Sequence, residues 1–133
     1  MSDSITWTCC VCGKAVANKR GYLEIDYVDI NEYQRLKQQW ETENPGPMIS
    51  ASACWTYPDE PRWRVLHRAC DPCPDSETMY WLAVERVRTE CQLIDWTAHL
   101  LEKTWLPDTN WRELLIDAIL PRVGTSAGRE KVL

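Results

Sequence analysis

The sequence predicts an α+β fold, a small antiparallel sheet with about three helices packed against it, and three observations carry the prediction. Apolar and polar residues alternate over residues 22–28 and 63–67, the period of a half-buried strand. Asp29, Thr89 and Asn110 are each followed three positions later by Glu or Gln, the pattern in which two side chains satisfy the first free N–H groups of a helix. Two pairs of metal-ligand residues, Cys9 with Cys12 and His67 with Cys70, flank the strand region, each pair separated by two residues.

The elements follow in chain order. Ile5-Thr6-Trp7-Thr8 is a short β-prone run leading into the cysteines, and Leu23, Ile25 and Tyr27 then alternate with Glu24 and Asp26. Tyr33, Leu36 and Trp40 recur at helical spacing behind Asp29 and Glu32, which predicts a helix over 30–43 stopped by Asn44-Pro45-Gly46-Pro47. Residues 48–57 are read as one strand ending before Pro58. Trp63, Val65 and His67 form the inward side of a strand whose outer side carries Arg62, Arg64 and Arg68. Asp71-Pro72-Cys73-Pro74-Asp75 is a stiff turn, because each proline fixes its own φ and restricts the residue before it.

Residues 79–88 fit strand or helix periodicity, and strand is the reading chosen, because Thr89 with Gln92 starts a new helix there. That helix runs over 90–104 with Leu93, Trp96, Leu100 and Trp105 on its apolar side, and Pro107 ends it. The last helix, 110–120, turns Trp111, Leu114, Leu115, Ala118 and Ile119 inward and stops at Pro121. A single domain over 1–121 and a disordered tail over 122–133, which lacks periodicity, complete the layout.

Fifteen Lys and Arg against twenty Asp and Glu give a net charge of −5, which argues against a dedicated duplex-DNA binder. Eight tryptophans without a phenylalanine imply indoles at the core's edge or on a binding surface, since each buried indole N–H needs an acceptor. The chain opens on Met1-Ser2-Asp3-Ser4 with no basic, apolar leader and has no membrane-length apolar run, so a cytoplasmic protein with reduced thiols is expected. Seven cysteines then read as metal ligands plus buried spares, with Cys54 and Cys91 as the spares.

Cys9-x-x-Cys12-Gly13 has the form of a zinc knuckle, a tight turn that aims two thiolates at one ion. With His67 and Cys70 it completes a four-ligand set for Zn²⁺ with no open position, a structural rather than a catalytic site. Cys73 or Cys10 could replace one member, although Pro72 and Pro74 stiffen the turn around Cys73. A redox role for Cys9 and Cys12 would require a strand-to-helix junction, whereas Gly13 and the strand that follows suggest a knuckle and hairpin.

The ligand arrangement resembles a Cys3His zinc finger of the treble-clef, zinc-ribbon or LIM-like kind with a helical insertion between its pairs. His67-x-x-Cys70-Asp71-Pro72, Arg88-Thr89, and Trp96-Thr97-Ala98-His99-Leu100 with Lys103, Trp105, Thr109 and Trp111 are similar to small uncharacterised proteins of actinobacteria and their phages. That resemblance spans residues 9–120. It supports the zinc pairs and implies no established activity.

Three further groups are candidates. Asp95, His99 and Glu102 could share a helix face and act as an acid–base or metal group. Arg62, Arg64, Arg68, Arg86 and Arg88 could form a basic stripe near Trp63 and Trp81 that binds nucleic acid. Trp105 and Trp111 bracket the last helix connection as a core corner or an exposed anchor. With two histidines and no phosphate loop, nucleophile elbow or His-Glu-x-x-His run, an enzyme is not expected. The expected function is a non-enzymatic binding or regulatory module acting on a protein partner, in a phage or mobile element. A nucleic-acid binder and a metal-dependent enzyme are the alternatives.

Overall fold

The computed structural model describes residues 4–47 and 50–119. Its sheet is built around β1, Gly21–Asp26, which pairs antiparallel on one side with β2, Arg64–His67, and on the other with β3, Met79–Ala83, in the order β2-β1-β3. The fold is thus α+β with a three-stranded antiparallel sheet. A central strand has neighbours on both edges and layers on both faces, so β1 is buried along nearly its whole length, Tyr22 and Glu24 included. The half-buried alternation predicted for this run is therefore not what forms. Glu24 is accommodated because the Arg64 guanidinium, directly opposite it across the ladder, donates to its carboxylate.

β1 passes directly into α1, Tyr27–Glu43. Asp26, the last residue of the strand, accepts from the Val28 N–H at 2.9 Å and caps the helix three residues earlier than the Asp29 pattern implies, while Glu32 pairs with Arg35 instead. Residues 51–54 form a one-turn helix, α2, capped by the Ser50 hydroxyl. The strand predicted over 48–57 is not formed in its described part. Its Ala-Ser-Ala sequence has no β-branched residue to favour a strand, and the helical cap is available.

β3 ends at Ala83 because its partner β1 begins at Gly21, and a 3-10 turn over Val84–Val87 follows with both valines buried. The strand predicted to reach residue 88 is thus shortened by its partner's length. Helix α3, Glu90–Leu100, opens with the expected Thr89 and Gln92 capping box but ends at Leu100 rather than 104. A 3-10 turn at Leu106–Asp108 then leads to α4, Trp111–Ile119. Asn110 does not form the predicted box with Glu113: its side chain accepts from the Trp63 N–H at 2.6 Å, and Glu113 pairs with Arg62. The predicted tail, 122–133, lies outside the described residues.

Leu23, Ile25, Val65, Leu82, Leu93, Leu100 and Leu114 make one core with Trp7, Trp63 and Trp111. Three buried indoles find acceptors, Trp7 on the Val87 carbonyl, Trp63 on the Thr109 hydroxyl and Trp111 on the Thr97 hydroxyl, whereas the buried Nε1 of Trp96 has no hydrogen-bond partner among the described residues. Trp105 joins Trp63 and Tyr80 in an edge-packed aromatic group, so Trp105 and Trp111 form a core corner. Lys37 and Gln34 both reach Asp108, fixing α1 to the turn before α4.

A Cβ at Gly21 would stand 2.1 Å from the Leu66 carbonyl oxygen and 2.7 Å from Val16 Cγ1. Neither the strand backbone nor the buried valine can yield that space. Gly21→Ala is expected to lower unfolding free energy by about 3 kcal/mol or more, measured by denaturant titration; a change within error would contradict this packing.

Candidate metal centre

The site begins with a reversal of the chain. Thr8 and Ala15 form an isolated antiparallel bridge, the Cys9 N–H donates to the Lys14 carbonyl at 2.9 Å, and the Gly13 N–H donates back to the Cys9 carbonyl at 2.9 Å. Gly13 closes this turn with φ of 76°, a left-handed conformation that side-chain-bearing residues seldom adopt. The Cys10 N–H donates to the Val65 carbonyl at 2.8 Å, which docks the knuckle onto β2.

The second pair comes from the end of β2. After His67 the chain enters a 3-10 turn, Arg68–Cys70, and three residues of helical rise bring Cys70 back beside the imidazole. Asp71 then fixes this turn: its carboxylate accepts from the Tyr22 hydroxyl and, at 2.9 Å, from the Cys73 N–H. Asp71 and Tyr22 are functional supports that the sequence reading missed. An Asp followed by Pro-Cys is an Asx-turn signature and was the available signal.

The Sγ atoms of Cys9, Cys12 and Cys70 and a ring nitrogen of His67 all lie within 4.8 Å of one another. Cys12 Sγ is 3.3 Å and Cys70 Sγ 4.0 Å from His67 Nδ1. A tetrahedron with Zn–S bonds of about 2.3 Å has edges of about 3.8 Å, so slight contraction would close the group on one ion. Cys9 is buried, His67 and Cys70 are half-buried, and Cys12 faces solvent. All four predicted ligands are thus brought together. Cys10 and Cys73 are exposed and outside the group.

The imidazole is oriented for coordination. His67 Nε2 lies 3.1 Å from the Ala15 carbonyl oxygen, which can only accept, so the ring proton sits on Nε2 and the Nδ1 lone pair faces the sulfurs. The sulfurs are prepared too. The Val11 and His67 N–H groups point at Cys9 Sγ, at 3.4 and 3.5 Å. Burial pushes the Cys9 thiol up, but the backbone N–H groups of Cys12, His67 and Val11 outweigh it and hold it at about 6. Cys70, by contrast, is raised to about 11 by desolvation and by sharing its surroundings with the other two thiols. Within the group a thiolate is therefore favoured at Cys9 and disfavoured at Cys70.

The other candidates are not assembled. Cys9 and Cys12 lie in a knuckle between bridge residues, not at a helix start, so the redox geometry is not formed. Cys54 and Cys91 are exposed rather than buried spares. His99 is exposed against the Trp96 ring, and no ion pair among the described residues joins it to Asp95 or Glu102. The five arginines do not form one stripe: Arg86 and Arg88 lie in and just after the 3-10 turn that follows β3, and β1 separates β2 from β3. Arg62, Arg64 and Arg68 pair with Glu113, Glu24 and Asp75, and Arg88 donates to Asn18 Oδ1 and the Ile5 and Val16 carbonyls. Among the described residues no helix is long and apolar enough to cross a membrane. Comparison with family models, curated proteins and solved structures finds no match.

Metal stoichiometry measured by native mass spectrometry is expected to fall from one ion per chain to a substoichiometric level in Cys12→Ser and His67→Ala. Cys10→Ser and Cys73→Ser should retain it. Loss of the ion in Cys73→Ser with retention in Cys12→Ser would reassign the ligand set.

Proposed function

We propose that Cys9, Cys12, His67 and Cys70 hold a structural Zn²⁺, and that the domain it organises is a non-enzymatic binding module for a protein partner. The observation that carries the metal reading is the orientation of His67, whose Nε2–H is committed to Ala15 while Nδ1 faces three sulfurs. Three thiolates and one imidazole suit Zn²⁺, which prefers sulfur and nitrogen in a tetrahedron and needs no redox chemistry of its site. Four protein donors leave no position for water or substrate, which separates this arrangement from catalytic zinc. The resemblance to Cys3His fingers agrees with the same assignment.

The partner reading rests on what remains. Of the five arginines considered for nucleic acid, four are engaged with carboxylates or main-chain carbonyls, and the net charge is −5. Large apolar side chains, by contrast, stand in solvent, with Trp55 at 88% and Leu101 at 69% exposure. Surfaces of this kind are suited to protein contacts.

X-ray absorption on protein purified with its metal is expected to give three sulfurs at about 2.3 Å and one nitrogen at about 2.0 Å around zinc. Because structural zinc contributes apparent free energies of about 10 kcal/mol, a strong chelator should unfold the sheet, seen as loss of near-ultraviolet tryptophan dichroism. A chain that keeps this signal and its melting temperature in chelator would remove the structural role.

The pH dependence follows from the thiols. Cys70, raised to about 11, is protonated at neutral pH in the metal-free chain, so zinc must displace its proton. Zinc binding at pH 7 is expected to release protons, and affinity should rise from pH 6 to pH 8, as read by competition with a chromophoric chelator. Affinity independent of pH over this range would contradict thiolate coordination at Cys70.

A further inference from the structure

Helix α3 is apolar on two opposite sides. Leu93 and Leu100 are fully buried, Thr97 accepts from the Trp111 indole, and Trp96 packs against the core. On the outer side Cys91, Ile94 and Ala98 are exposed, and so is Leu101, the C-cap residue that continues the helical backbone conformation, with Ile94 at 59% and Leu101 at 69%. Their spacing of three, four and three residues is the seam of a coiled coil, a stripe that turns one helix toward another. One exposed leucine on a surface is ordinary; four apolar positions in heptad register on one three-turn helix are not.

The flank of the stripe identifies the occupant. Asp95 and Glu102 lie seven residues apart along one border, both exposed and in no ion pair among the described residues. In an antiparallel two-fold pair of α3 helices, these same borders would face each other and like charges would meet. A second copy is therefore disfavoured, whereas a helix with a basic border would meet these carboxylates favourably. We infer that the outer side of α3 docks an amphipathic helix of a partner protein, apolar along its seam and lysine- or arginine-rich along its border. This rests on the partner half of the function proposed above and is independent of the metal. Attraction across the border would set orientation and association rate, while the seam supplies the affinity.

The test uses full-length, metal-loaded protein and two labelled three-heptad peptides with the same Leu and Ile seam, one flanked by Lys and the other by Glu, read by fluorescence anisotropy. The Lys-flanked peptide is expected to bind at least about tenfold more tightly than the Glu-flanked one, with affinity falling as salt rises. Ile94→Ser with Leu101→Ser should abolish binding. Both side chains are more than half exposed, so the metal content and circular dichroism of this variant should be unchanged. Asp95→Lys with Glu102→Lys should reverse the preference between the peptides. Failure of both peptides to bind, or binding unaffected by either double variant, overturns the inference. So does a concentration-dependent dimer in sedimentation that the serine variant abolishes, which would assign the stripe to a second copy. Loss of zinc binding with peptide binding retained would reject the metal reading alone.

Discussion

The cluster of three cysteines and a histidine depends on how closely two backbones approach at Gly21. That residue pairs with His67 in the ladder, and the space a Cβ would take is held by the Leu66 carbonyl and Val16. The segment leaving the knuckle, the first residue of β1 and the last of β2 therefore lie within a single layer. Only at this separation can His67 Nε2 reach the Ala15 carbonyl at 3.1 Å while Nδ1 reaches the Cys12 sulfur. Cys12 and His67 are 55 residues apart in the chain, and bridging such a loop restricts the unfolded state by on the order of 4 kcal/mol in the chain-entropy picture. The pairing of β1 with β2 and the four-donor cluster close the same loop, so each favours the other.

A second constraint is electrostatic and fixes register. Glu24 lies in the middle of the central strand, where burial and the Asp71 carboxylate both raise its proton affinity and Arg64 opposes them. A slip of one residue between β1 and β2 would bury Glu24 without its guanidinium and turn Leu23 outward. Tyr22 performs the matching task two residues earlier on the same strand, donating to Asp71, the residue directly after Cys70. Strand register and ligand placement are thus coupled through neighbouring side chains, which explains why an acidic residue is tolerated at a position that packing alone would give to an aliphatic one.

Most of the candidate site was legible because metal chemistry restricts residue type and spacing. Cys9-x-x-Cys12 and His67-x-x-Cys70 could be paired without any knowledge of the sheet, and the Thr89 capping box marked α3 for the same local reason. What failed depended on tertiary partners. β3 stops at Ala83 because β1 begins at Gly21, a limit absent from the local sequence of residues 79–88. Asn110 carries a cap signal, yet the unpaired Trp63 N–H, 47 residues away, takes its side chain. Residues 51–54 looked strand-like until Ser50 offered a helix cap and no neighbouring strand competed for them. The arginine stripe failed because the chain leaves the sheet at Ala83, before Arg86 and Arg88, and because the order β2-β1-β3 is not visible in local alternation.

The knuckle and the outer helix are not mechanically independent. Ile5 donates its N–H to the Arg88 carbonyl at 2.7 Å, and Trp7 donates its indole N–H to the Val87 carbonyl at 3.0 Å. The Arg88 guanidinium in turn donates to the Ile5 and Val16 carbonyls, on the two arms of the chain that enter and leave the cysteine turn. Arg88 immediately precedes Thr89, the cap of α3. Its half-buried guanidinium is partly desolvated, so releasing either arm would weaken the hydrogen bonds beside the first turn of the helix. The arms that carry Cys9 and Cys12 against β2 therefore also supply the carbonyls around Arg88, the residue before the cap of α3. The cysteine turn and the first turn of α3 are thus joined by one set of main-chain, indole and guanidinium hydrogen bonds.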